Sequence, residues 1–207
     1  MMGLKHQAAA ARKWRTAIRR IQGHFPPYLP PLFFLTDPDR VPDPVAVISE
    51  LPHECGVIYR HFGAPDRQEI ATKLSELCRR EGRVFLVAAD PVLALAVGAD
   101  GVHWPERSVH EARTWRGKFP LQTASAHSQR AIVRASVAGL DAALVSTVFA
   151  SNSPSASRPM GASRFNALAR QSDIPLYGLG GLNAANSGRV SFSAGVAAIE
   201  GLLWSRP

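Results

Sequence analysis

The amino-acid sequence predicts an α/β protein: a small (β/α)8 TIM barrel with an extra basic helix at its N-terminus. Three observations lead there. Short apolar runs recur eight times from Leu32 onward, a helical pattern fills each gap, and the runs are continuously apolar, as parallel strands buried on both faces are. Eight βα units with no long hairpin signal close most simply into a barrel. At about 175 residues it is small for that architecture, and an open doubly wound sheet is the runner-up.

The elements follow in order. Pro26, Pro27, Pro30 and Pro31 stop any preceding helix, so a connector ends near residue 31 and the barrel spans 32–207. Strands are expected at 32–36, 56–60, 84–88, 101–104, 121–124, 142–145, 176–178 and 195–199. Helices are expected between them at 43–51, 66–80, 91–97, 108–115, 128–138, 162–171 and 184–191, and only Gly201 to Trp204 follow the last strand.

Residues 1–31 read as a basic amphipathic helix and a Pro-rich connector. Trp14, Ala17, Ile18 and Ile21 recur at three-to-four-residue spacing among good helix formers. The chain has 24 Lys plus Arg against 16 Asp plus Glu, a formal charge of +8. Six of those bases (Lys5, Arg12, Lys13, Arg15, Arg19, Arg20) lie in the first 24 residues, which hold no acid, so the rest is nearly neutral. Such a helix can dock on its own domain, sit on an anionic surface or meet nucleic-acid phosphates. One Trp and no second basic cluster make a thin case for a nucleic-acid or membrane partner, and a docking or solvated helix is the expectation.

Composition narrows the class. With 46% hydrophobic and 19% charged residues the chain can build a core. Asp90, Asp100 or a proline interrupts every long apolar stretch well short of the ~20 residues that cross a bilayer. No uninterrupted apolar region or small-residue cleavage site follows the early charges, so they do not read as a signal peptide. Cys55 and Cys78 are too few for a disulfide framework, and the cytoplasm is the expected compartment.

In a (β/α)8 barrel, chemistry belongs at the C-terminal ends of the strands. Those ends carry Thr36 and Asp37, Arg60 and His61, Asp90, His103, Ser125 and His127, Ser146 and Thr147, Gly180 and Gly181, and Glu200. Arg, Asp, His and a double Gly on one rim suit a phosphorylated substrate.

Several segments resemble the thiamine-phosphate synthase and TenI family. They are "FFLTDPDR" from Phe33, "VAADPVLALAVGADGVHW" from Val87, "SAHS" from Ser125, "AGLDAALVSTVFAS" from Ala138 and "IPLYGLGGLNAANSGRVSFSAGVAAI" from Ile174. The resemblance covers about residues 32–202 in register and implies a (β/α)8 barrel. It also implies coupling of a pyrimidine diphosphate to a thiazole phosphate with release of pyrophosphate, so the implied partners are these two phosphorylated small molecules. A homo-oligomer is left open.

Residue by residue, the resemblance places Arg60 on pyrophosphate, with Ile58 and Phe62 where the family has Gln and Lys. It makes Asp90 a Mg2+ ligand, with Ala89 in place of its Asn neighbour. Ser108 stands where a second Mg2+ Asp belongs, and Glu106 is a candidate replacement ligand. Ser125 binds pyrophosphate in the synthase, and His127 is the acid-base residue of a TenI-like thiazole tautomerase, an alternative function. Ser151, Asn152, Ser153 and Pro154 replace a Thr-x-Thr-Lys phosphate loop, Arg158 being the nearest substitute for its lysine. Gly180 and Gly181 match the phosphate-binding double Gly, and Glu200 replaces a Ser. These departures keep a third reading open, a non-catalytic binding or regulatory barrel.

Overall fold

A computed structural model describes residues 2–153 and 158–203 of the chain. Pro154 and Trp204, both considered above, lie outside the described residues. Eight strands close a parallel barrel in chain order: β1 (Leu32–Leu35), β2 (Cys55–Tyr59), β3 (Phe85–Ala88), β4 (Gly101–Trp104), β5 (Leu121–Ala126), β6 (Ala142–Val145), β7 (Leu176–Gly178) and β8 (Gly195–Ala198). Leu32 pairs with Cys55 on one side and Val196 on the other, which closes the ring. All eight lie within two residues of the expected positions. Nearly every strand residue is buried, which is why the runs are continuously apolar instead of alternating.

Among the described residues six α-helices accompany them: α1 (Met2–Gln22), α2 (Pro44–Ile48), α3 (Arg67–Arg80), α4 (Pro91–Ala96), α5 (Gln129–Val137) and α6 (Gly161–Gln171). Asp43, Asp90 and Ser128 cap α2, α4 and α5 through side-chain oxygens that accept from Ala46, Leu93 and Ala131 N–H groups.

Two crossovers differ from expectation. The fourth is a 3-10 helix, Glu106–Arg113, in place of an α-helix. In the seventh, only Ser187–Arg189 is helical, again 3-10. There Asn183 accepts from Ala185 N–H, Asn186 accepts from Asn183 N–H, and the Asn186 amide donates to the Gly181 carbonyl. These local bonds compete with helical ones and tie the segment to the rim.

The N-terminal helix packs against that shortened crossover. Trp14, Ala17, Ile18 and Ile21 are all at most 3% exposed, so the predicted stripe docks on the barrel, while Arg12, Lys13, Arg15, Arg19 and Arg20 remain exposed. Burying each of the three large side chains contributes about 2 kcal/mol. Beyond α1, the Pro-rich connector is held by Tyr177, whose hydroxyl donates to the Pro30 carbonyl at 2.6 Å and whose ring meets Phe25 and Phe33. No helix among the described residues is long and apolar enough to cross a membrane.

Candidate active site

Strand ends and the loops after them line the mouth of the barrel, and the expected site residues fall into two groups there. Arg60, Ser151, Ser153, Gly180 and Gly181 share one cavity of about 310 Å³. Ser125, His127 and Glu106 line a separate depression. Asp90 lines neither.

The first cavity is built for an anion. Gly180 and Gly181 take φ of +94° and +63°, and among the described residues neither N–H has an acceptor within the protein. A Cβ on Gly181 would run into the Ala150 carbonyl oxygen, so only glycine brings this backbone so close to the β6 loop. Successive unpaired amides of this kind make an anion-binding concavity. Ser146, Thr147, Ser151 and Ser153 add hydroxyls.

The cations come from the segments that follow β1 and β2. Arg60 is placed by its own N–H, which donates to the buried Thr36 hydroxyl at 2.8 Å. Its guanidinium lies 3.9 Å from Asp37, which also binds Arg40 at 2.7 Å. Burial pushes the Asp37 carboxyl up, but the Arg40 hydrogen bonds and the charges of Arg40 and Arg60 outweigh it and hold the group below its usual value. Burial lowers Arg60, and Asp37 opposes that shift.

Arg40 lines the cavity and was not singled out in the sequence; the Asp37-x-x-Arg40 spacing, which closes a salt-bridged turn, is the signal that could have found it. Glu200 lines the cavity too, 62% exposed and 3.9 Å from Arg40, so this arginine partly meets the carboxylate that replaces the family's Ser. Arg158 is exposed and does not line the cavity.

The second group is internally bonded. Glu106 Oε2 accepts from both the backbone N–H and Nδ1 of His127 at 2.9 Å, and its Oε1 accepts from Arg134 at 2.7 Å. Burial raises the Glu106 carboxyl, but the His127 bonds and the Arg134 charge bring it below its ordinary value. His127 is half exposed, its ring oriented by the carboxylate.

Ser125 belongs to a deeper chain of hydrogen bonds. His103 Nε2 lies 2.9 Å from Ser125 Oγ and Nδ1 lies 2.9 Å from Thr123 Oγ1. Burial, helped by Arg60, pushes the His103 imidazole down to about 3, so it is neutral and must donate to one hydroxyl and accept from the other. Thus the orientation of the Ser125 hydroxyl is set from beneath. His61 is 2% exposed and packs at 5.0 Å on Tyr59.

The residues nominated for Mg2+ do not fit the ion. Asp90 Oδ1 caps α4 through Leu93 N–H at 2.9 Å, and Oδ2 binds Arg67 at 2.7 Å. Glu106 is engaged as described, and no group of three or more His, Cys, Asp or Glu side chains suited to a metal occurs among the described residues. Ala89, where the resemblance would have Asn, takes φ +58°, a conformation Asn tolerates better than Ala.

Comparison with known proteins adds the family. A family model described as thiamine monophosphate synthase matches residues 55–202. The thiamine-phosphate synthase of Thioalkalivibrio sulfidiphilus is 32% identical over 152 residues, 69% of this chain and 70% of that protein. That of Chloroflexus aurantiacus is 36% identical over 139 residues, 65% and 64% of the two chains. The chain spans only 30% of a thiamine biosynthesis bifunctional protein of Symbiobacterium thermophilum, to which it is 33% identical. A solved thiamine phosphate pyrophosphorylase from Pyrococcus furiosus superposes with a TM-score of 0.71 at 25% identity, over 81% of this chain and 84% of that one. FabK from Thermotoga maritima, at 14% identity, shares the fold alone, with a TM-score of 0.65 over 84% of this chain and 59% of that one. With the closed barrel and the double-glycine cavity in place, these matches establish that the chain belongs to the thiamine monophosphate synthase family.

Proposed function

We propose that the protein is a thiamine biosynthesis enzyme that joins a pyrimidine diphosphate to a thiazole phosphate. The observation that carries this reading is the cavity in which Arg40 and Arg60 face the Gly180–Gly181 amides and a ring of hydroxyls. In the reaction, the carbon–oxygen bond to the diphosphate breaks and its electron pair leaves with pyrophosphate. The thiazole nitrogen lone pair then forms the new carbon–nitrogen bond to the pyrimidine cation. Arg60 and Arg40 stabilise the charge that grows on the departing pyrophosphate. Ser125, oriented by His103, is a hydroxyl for the same anion, and Gly180, Gly181, Ser151 and Ser153 hold the thiazole phosphate. Cys55 and Cys78, both free, suit the reducing cytoplasm in which this chemistry would run.

Purified protein given both substrates should form thiamine phosphate, and Arg60→Ala should lower kcat/KM by about 100-fold. Absence of product at high protein concentration would overturn the reading. The His127–Glu106 pair favours a second one, a thiazole tautomerase in which His127 moves the proton; its mark is tautomer conversion that is lost in His127→Ala.

A further inference from the structure

We propose that this barrel binds a diphosphate without a divalent cation, because its own arginines have taken the carboxylates that would hold one. The inference rests on the synthase reading only for the choice of diphosphate as ligand.

A hard dication needs carboxylate oxygens that are free to turn toward it. Asp90 has none to offer, since one oxygen caps a helix and the other is bound to Arg67. Arg67 is itself fixed from several sides. Its second terminal nitrogen donates to the Ala88 carbonyl at 3.1 Å, its backbone carbonyl accepts from the Tyr59 hydroxyl at 3.0 Å, and its guanidinium lies 5.6 Å from the Phe62 ring. The Arg67 side chain is 19% exposed. A magnesium ion at Asp90 would have to break this pair and leave a largely buried guanidinium beside a second cation. Glu106 is held by His127 and Arg134 in the same way.

The positive charge a diphosphate requires is instead supplied by Arg40 and Arg60, which share Asp37. Glu200, largely exposed at 3.9 Å from Arg40, is the group that a bound anion displaces.

The test is calorimetric titration of the full chain with inorganic pyrophosphate, in EDTA and again in magnesium chloride at equal ionic strength. The expected result is binding in EDTA at least as tight as in magnesium, with Glu200→Gln tightening it severalfold. Arg67→Gln, which leaves Asp90 uncompensated, should weaken binding in EDTA by about threefold or more, and magnesium should then restore it. Arg67→Lys, which keeps the charge, should retain binding in EDTA. Binding at least tenfold tighter in magnesium for the unaltered chain, or no binding in either buffer, would overturn the proposal. So would an Arg67→Gln chain that folds and binds as before. The titration needs no turnover, so a barrel that binds pyrophosphate in EDTA but makes no thiamine phosphate would sink the synthase reading and leave this one standing.

Discussion

Around the mouth of the barrel, the β6–β8 rim and the β3–β5 rim use polar side chains in opposite ways. On the β6–β8 side, hydroxyls line a cavity and the Gly180 and Gly181 amides keep hydrogen-bonding capacity for a ligand. On the β3–β5 side, the charged groups bond to one another: Asp90 to Arg67, Glu106 to His127 and Arg134. Polar groups therefore carry different meanings on the two sides. A glycine pair whose amides find no acceptor among the described residues is a binding feature, whereas a carboxylate with two partners is already spent on the fold.

Breaking the open rim should have the largest effect. Gly181→Ala puts a Cβ into the Ala150 carbonyl and forces a strained φ, so it should cost about 3 kcal/mol of stability or more and abolish binding of the thiazole phosphate. Denaturant unfolding and calorimetry check both, and a variant that binds as before would remove the glycines from the site.

Beneath the other rim, the His103 imidazole sharpens the contrast through pH. Its folded value is depressed to about 3 from 6.5, so between those values the unfolded chain binds the extra proton. Stability from this group is therefore intact above pH 6.5 and is lost as pH falls toward 3, on the order of 3 kcal/mol by pH 4. Melting curves of His103→Asn should be flatter across that window than those of the unaltered chain; parallel curves would contradict the buried neutral imidazole.

The smallest effect concerns Ala89. Ala89→Asn should stabilise the protein by about 0.5–1 kcal/mol, because Asn accepts positive φ more readily. A loss of stability would mean that the neighbouring Asp90–Arg67 pair depends on the small side chain.

The barrel was legible from the sequence because its signal is repetitive: eight apolar runs at similar spacing leave few alternatives. The two misread crossovers lack that support. Residues 184–191 carry a helical pattern, yet Asn183 and Asn186 bind the backbone locally and α1 covers the segment. At the site, residue types were readable and their partners were not. Arg67 precedes Asp90 by 23 residues and sits on a different helix, so no spacing rule pairs them. His103 was visible as a strand-end residue, but its contacts with Thr123 and Ser125 exist only across the β4–β5 ladder.

The docking of α1 on the Ser187–Arg189 turn, beside the β1–β8 pairing, bears on how the molecule is made. Both seams join segments far apart in the sequence, so a nascent chain emerging from the ribosome cannot complete the first until Ser187–Arg189, or the second until β8, has been synthesised. Until then Trp14, Ile18 and Ile21 lack the Ser187–Arg189 turn as a partner, and the β1 edge is open to wrong pairing. Demand for chaperones should therefore concentrate on α1 and β1 of the unfinished chain.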